Sequence, residues 1–358
     1  CWTGVRLMSS AKKLLEAAAG NAGGAGLDIA EVFSTYLYTG NGGTQTITND
    51  IDLNGEGGLV WVKSRNYTYG HALSDTEHTV GNYMSSDTTD PIQGGTNAIS
   101  AFNSNGFSLG NDAYLNGSGS NLASWTWRKA KKYFDVVTWT GNSTNRQIAH
   151  SLNSPVGMIL AKCTSNGSTN WQVFHRASNA SSPGNYRLEL NQNGAAQANS
   201  QIWNNTAPTT TEFTVGIGAD INKTGRTYVA YLFAHNDGDG GFGPDGDQDI
   251  ISCSSYTGNG SSTGPVINLG WEPQWIMIKN ATVGGTSKNW FMLDSMRGIP
   301  ESGEANAAYL GANTSSDEEY AGIARLSATG FQLRTASANL NGSGNSYIYM
   351  AIRAPMMK

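Results

Sequence analysis

Charge is scarce in this chain. Only 14% of its 358 residues are Asp, Glu, Lys or Arg, against about 25% in ordinary domains. The formal net charge is −5 and no basic block is present, which argues against nucleic acid and anionic membrane as partners. The densest basic stretch, Arg128-Lys129-Ala130-Lys131-Lys132, lies between two strand-like segments and reads as a solvated connector. Cysteine is equally sparse. Cys1, Cys163 and Cys253 show no C-x-x-C spacing, so a zinc site or a disulfide framework is not expected. Cys163 and Cys253 adjoin apolar runs and read as small buried hydrophobes. No apolar run approaches the eighteen residues of a spanning helix, so membrane insertion is not expected either.

Glycine, by contrast, is plentiful. There are 45 glycines in 358 residues, about twice the usual share, with Ser, Thr and Asn in place of charges. Ten Trp, fifteen Tyr and ten Phe supply core bulk, which separates the chain from disordered sequences. Short apolar runs cut by Gly, Asn and Ser are the pattern of an all-β protein with tight turns.

The turns repeat. "YTGNG" occurs at Tyr38 to Gly42 and again at Tyr256 to Gly260, with "WTGN" at Trp139 to Asn142. Downstream of each comes an apolar run ending in lysine: "LVWVK" to Lys63, "MILAK" to Lys162 and "WIMIK" to Lys279. A second run follows, beginning at His71, Trp171 and Trp290, then "GFSLG", "FTVGI" and "GFQLR", then the closing strings "NGSGSNLASWTW", "NKTGRTYVAYLF" and "NGSGNSYIYMAI". Five landmarks in one order, three times, define a repeat near 100 residues. That length is too long for a solenoid or propeller blade and fits a β-sandwich of six to eight strands. The expected architecture is therefore three tandem β-sandwiches of jelly-roll or concanavalin-like type, over residues 32–130, 131–236 and 250–358. In this reading Gly40, Gly141 and Gly258 permit the bend of each opening turn, and Lys63, Lys162 and Lys279 cap strand ends and point to solvent.

Two segments break the pattern. Residues 1–31 hold the one convincing helix, "SSAKKLLEAAAG" from Ser9 to Gly20, followed by a Gly-rich tether; the pair reads as an anchor that docks on another protein. Met8 reads as a natural start, which makes Cys1 to Leu7 an upstream extension. Residues 237–249 form an Asp/Gly-rich linker. Asp237, Asp239, Asp245, Asp247 and Asp249 alternate with glycines that let the backbone wrap carboxylates around a hard cation, for which calcium is the candidate. No closing Glu and no flanking helices complete an EF-hand, and a solvated acidic linker is the alternative.

Catalytic constellations are missing. Gly238-x-Gly240-x-x-Gly243 is followed by Pro244 and aspartates where a phosphate needs a helix N-terminus. Gly260 to Gly264 matches G-x-S-x-G inside low-complexity sequence with no helix behind it. His71 and His78 flank Asp75 and Glu77, a set that could form a small metal or acid–base cluster but reads better as an exposed loop. The chain is accordingly not expected to be an enzyme. Surface recognition remains, and Tyr67 and Tyr69 of "SRNYTYGH" are the best exposed aromatics for stacking on sugar rings. Trp171 and Trp290, followed by apolar residues, read as buried.

The strings "VFSTYLYTGNG", "GEGGLVWVKSR", "YVAYLFAHNDGDGGFGPDGDQDIISC" and "YIYMAIRAPM" resemble a family of uncharacterised structural proteins of tailed phages, especially marine and cyanobacterial ones. The resemblance runs from about Met8 to Lys358. It implies a component on the exterior of the virion: a fibre, an appendage or a capsid decoration. The implied partners are other virion proteins, bound through the N-terminal segment, and host-surface glycan. The implied assembly is a homo-oligomer, a trimer being usual for fibres. The rival reading is a purely architectural cement protein without ligand, and a glycan depolymerase is the third.

Overall fold

The computed structural model describes residues 26–95, 97–302 and 305–355. The helix expected over Ser9 to Gly20 and the extension Cys1 to Leu7 lie outside the described residues. What is described is predominantly β, with antiparallel sheets joined by turns and one-turn helices.

One strand order recurs in the three segments. In the first, Phe33–Thr39 pairs with Asn121–Arg128, then Gly58–Ser64, then Ala72–Asp75. In the second the order is Phe134–Thr140, Thr227–Ala234, Val156–Cys163, Gln172–His175. In the third it is Ile251–Thr257, Ser346–Arg353, Pro273–Asn280, Phe291–Asp294. Each segment thus opens and closes on neighbouring strands. The two central strands of each sheet are apolar on both faces because both faces are covered.

On one face lies a smaller companion sheet. In the first segment Ile47, Ile99, Phe107 and Leu109 pack on Val60, Val62 and Leu122. In the third, Ile267, Phe331 and Leu333 cluster with Ile276, Ile278 and Tyr349. The opposite faces of all three main sheets share one core, which joins Phe33, Trp61 and Trp127 to Phe134 and Phe233 and to Trp275 and Ile352. Trp127 stands edge-on to Trp275 (centroids 5.7 Å apart) and to Phe233 (5.9 Å), the arrangement the ring quadrupoles favour.

The TGN turns are tied down by a second asparagine that the repeat pattern also carries. Asn116, Asn222 and Asn341 are buried. The Asn116 amide donates to Asn41 Oδ1 (3.0 Å), Gly43 O (2.8 Å) and Gly110 O (2.8 Å), and its Oδ1 accepts from Asn41 N. Asn222 and Asn341 repeat this against Asn142 and Asn259. The glycines of the turn act differently from expectation. Positive φ falls two residues later, on Gly42 and Gly260 (both 67°) and on Ser143 (58°). Gly40, Gly141 and Gly258 are required by close approach instead: a Cβ there would lie 2.2 Å from Gly117 O, 2.3 Å from Lys223 O and 2.3 Å from Gly342 O.

The segments close into a ring through equivalent contacts. The Trp171 indole donates to Ser85 O (2.9 Å), that of Trp290 to Glu189 O (3.0 Å), and the ring of His71 meets Gly311 O (3.0 Å). Second reaches first, third reaches second, and first reaches third. An arm following the fourth strand of each segment covers the next segment with a backbone bond: Ile92 N to Thr164 O, Ala196 N to Ala281 O, and Glu318 N to Arg65 O. A third set lies deeper, with Tyr231 donating to Asp75 (2.7 Å), Trp125 to Asp294 (2.9 Å) and His175 to Tyr349 O (3.0 Å).

Candidate functional site: a tyrosine row over a buried lysine

Tyr67 and Tyr69 sit in the loop after Gly58–Ser64, and the structure brings them together with two tyrosines that the sequence pattern does not flag. The ring centroids run Tyr67–Tyr69 5.6 Å, Tyr69–Tyr114 5.2 Å and Tyr114–Tyr83 6.3 Å, each pair tilted by 33–35°. Tyr67 is 44% and Tyr114 38% exposed, while Tyr83 is 9% exposed and roots the row. Tyr114 is carried on the one-turn helix Ala113–Asn116, whose first turn is capped by Asp112. Counted back from the buried asparagines, the places of Tyr114 in the other segments hold Asp220 and Asn339. That departure from the repeat is the signal available in the sequence.

The tyrosine loop is held from beneath by Lys63. Its Nζ donates to Ser64 O (2.7 Å) and Tyr67 O (3.3 Å), and Ser64 Oγ accepts from Tyr67 N. Lys63, Lys162 and Lys279 do not point to solvent as their strand-end positions suggest; all three are fully buried. For Lys162 the reason is the ring, since it lies under the arm of the first segment, where Thr89 O receives its Nζ at 3.2 Å. Lys162 also donates to Cys163 O and Thr169 Oγ1 (both 3.0 Å), and Lys279 to Asn280 O (2.9 Å). Burial lowers the pKa of Lys63 to about 8, against the pull of Asp87 and Asp317. It lowers Lys162 to about 8 in the same way, opposed by Cys163, Asp220 and Asp90. Lys279 has no opposing acid and falls to about 7, with Lys288 adding to the effect of burial.

His71 and His78 do not share an exposed loop. His78 contacts the Asp75 carboxylate at 2.9 Å, while His71 is fully buried at the junction of the first and third segments. His71 Nδ1 accepts from the Trp61 indole (2.8 Å), which leaves Nε2–H to donate to Gly311 O. His175 has the same tautomer, its Nδ1 accepting from Ala177 N (3.1 Å). Burial lowers both rings to about 4, so both are neutral at pH 7. Trp171 and Trp290 are buried as expected.

The acidic loop is not gathered into a cage. Among the described residues no three Asp, Glu, His or Cys side chains stand where they could hold a metal ion. Asp249 accepts from Gly238 N (2.7 Å) and Gly240 N (2.9 Å), and Asp239 from Asp237 N, so these carboxylates serve the turn itself; Asp245 and Asp247 join no such group. Phe242 in the middle of the loop is buried against Tyr133, which makes the segment a folded plug. Beside it the basic stretch Arg128 to Lys132 lines a cavity of about 330 Å³. Two of its charges are paired, Arg128 to Glu56 (3.0 Å) and Lys129 to Glu77 (2.8 Å), while Lys132 Nζ donates to the main-chain Asp239 O (2.6 Å). No described helix is long and apolar enough to cross a membrane.

No curated protein matches the chain. The family described as "Domain of unknown function (DUF7483)" matches residues 28–354, and the chain belongs to that family.

Proposed function

We propose that this protein is a structural component of the exterior of a tailed-phage particle, built from three jelly-roll or concanavalin-like sandwiches, and that it attaches to host-surface glycan. The observation that carries the contact function is the row of Tyr67, Tyr69, Tyr114 and Tyr83, the first two on a loop pinned by a buried lysine. Aromatic side chains that are rigid before binding lose little entropy on contact, and many copies on one particle would convert weak contacts into avidity. The phage assignment rests on the sequence resemblance. Support for a non-enzymatic role comes from His71, His175, Asp75 and Asp294, buried groups that are spent on contacts between segments. The N-terminal residues 1–31 are proposed to join the chain to other virion proteins.

Glycan-array binding that disappears in Tyr67→Ala/Tyr69→Ala is the expected result. The rival reading, a cement protein without ligand, is favoured by the shared aromatic core, which suits a rigid brace. Particles that leak DNA without the protein, together with no binding to any host envelope preparation, would replace the adhesive reading by that one. Release of reducing sugar from host polysaccharide would revive a depolymerase. A chain starting at Leu27 that still joins particles would remove the N-terminal anchor.

A further inference from the structure

The tyrosine row has a charge. Asp87 and Asp112 flank it, and each is fixed by the backbone: Asp87 Oδ1 accepts from His71 N at 3.0 Å and Asp112 Oδ1 from Tyr114 N at 2.8 Å. Gly70 marks how close the parts stand. A Cβ at that position would lie 3.3 Å from both Asp87 oxygens and 3.6 Å from Tyr114 Cε1. At the other end Asp112 adjoins Tyr83, whose hydroxyl is pushed up to about 12 by burial, with Asp112 and Tyr114 adding to it. The adjacent cation, Lys63, is buried beneath the loop and turned onto the carbonyls of Ser64 and Tyr67. The rings of Tyr67, Tyr69 and Tyr114, rooted on buried Tyr83 and set between two carboxylates, therefore present negative potential to solvent. Ring faces and carboxylates attract ammonium groups and repel uronates and sulfates.

We infer that this row selects a cationic saccharide, an amino sugar carrying a free ammonium, over its neutral N-acylated or anionic counterparts. The inference rests on the glycan-binding reading of Tyr67 and Tyr69 and names the class of sugar. One ammonium seated among tyrosine rings and a partly exposed carboxylate is worth about tenfold in affinity. Asp87 and Asp112 set the preference; the rings supply contact common to all sugars.

The probes are glucosamine oligomers and N-acetylglucosamine oligomers of equal length, titrated calorimetrically into the full chain at pH 6. The glucosamine oligomer is expected to bind about tenfold more tightly. Raising NaCl from 0.05 to 0.5 M should erase most of that margin. Asp87→Asn/Asp112→Asn keeps the backbone-capping oxygens and should reduce the ratio to near one while N-acetylglucosamine binding persists. Equal affinity of the wild-type protein for both oligomers, or an unchanged ratio in the double variant, would overturn the charge selection and leave the glycan site standing. Binding of neither oligomer, with no glycan-array signal, would remove the site and the inference together.

Discussion

Lys279→Met should stabilise the protein at pH 6 and lose that advantage as the pH rises. Lys279 is fully buried, gives one hydrogen bond to Asn280 O, and faces another cation, Lys288. A fall from the ordinary 10.5 to about 7 corresponds to about 5 kcal/mol against the charged form. The sign follows from proton counting. Between about pH 7 and 10.5 the unfolded chain holds the proton and the folded chain does not, so stability rises with pH across that window. Below it both states are protonated, and the folded state carries the full penalty. Methionine fills a similar space without charge but leaves the Asn280 carbonyl short of a donor, which costs about 1–3 kcal/mol. The variant should therefore gain about 2–4 kcal/mol at pH 6 and be close to neutral by pH 9.5. Urea unfolding midpoints at pH 6, 8 and 9.5 measure this directly. A difference between variant and wild type that stays constant across the three would refute the reasoning.

Other perturbations test the remaining parts of the fold. Asn341→Ala removes three donated bonds and one accepted bond and should cost about 2–4 kcal/mol, read from the shift in urea midpoint. Gly141→Ala places a Cβ against Lys223 O and should be more harmful than Gly194→Ala, where the space is open; equal melting temperatures would contradict the close-approach argument. As pH falls from about 6.5 to 4, the unfolded chain protonates His71 and His175 before the folded chain does. Stability should drop by up to about 3 kcal/mol for each, and the slope should become shallower in His71→Gln/His175→Gln. Trp290→Phe keeps the ring but loses the bond to Glu189 O. Faster hydrogen exchange along Tyr186–Glu189 and Phe291–Asp294, with little change in the first segment, is the expected signature.

The β class and the threefold landmark order were legible because turns have a fixed chemistry. Asn-Gly and Gly-Ser-Gly strings mark hairpins wherever they occur, and double-sided apolar runs mark covered strands. The lysines depart from the sequence expectation for a physical reason. A lysine closing a strand reads as solvated unless something covers it, and what covers Lys162 is the arm of the first segment, more than sixty positions away. The ring leaves equally little trace, because many of its contacts end on backbone carbonyls, Ser85 O, Glu189 O and Gly311 O, which no side-chain pattern encodes. At the tyrosine row, Tyr67 and Tyr69 stood out as exposed neighbours in one loop. Tyr114 and Tyr83 join them only once Gly70 lets Asp87 and the Tyr114 ring approach the same point.

Ring closure also dictates an order of events during synthesis. The first segment completes its own sheet when Asn121–Arg128 emerges to pair with Phe33–Thr39. Its lysine and its histidine still lack cover, because Gly311 O and the amide of Glu318 belong to the third segment. At about 5–20 residues per second, that cover arrives some 10–40 s later. The part made first is thus the last to be finished. Until the second and third segments emerge, the nascent chain holds an unburied aromatic face, including Trp61 and Trp127, on which a chaperone or a second nascent chain can act.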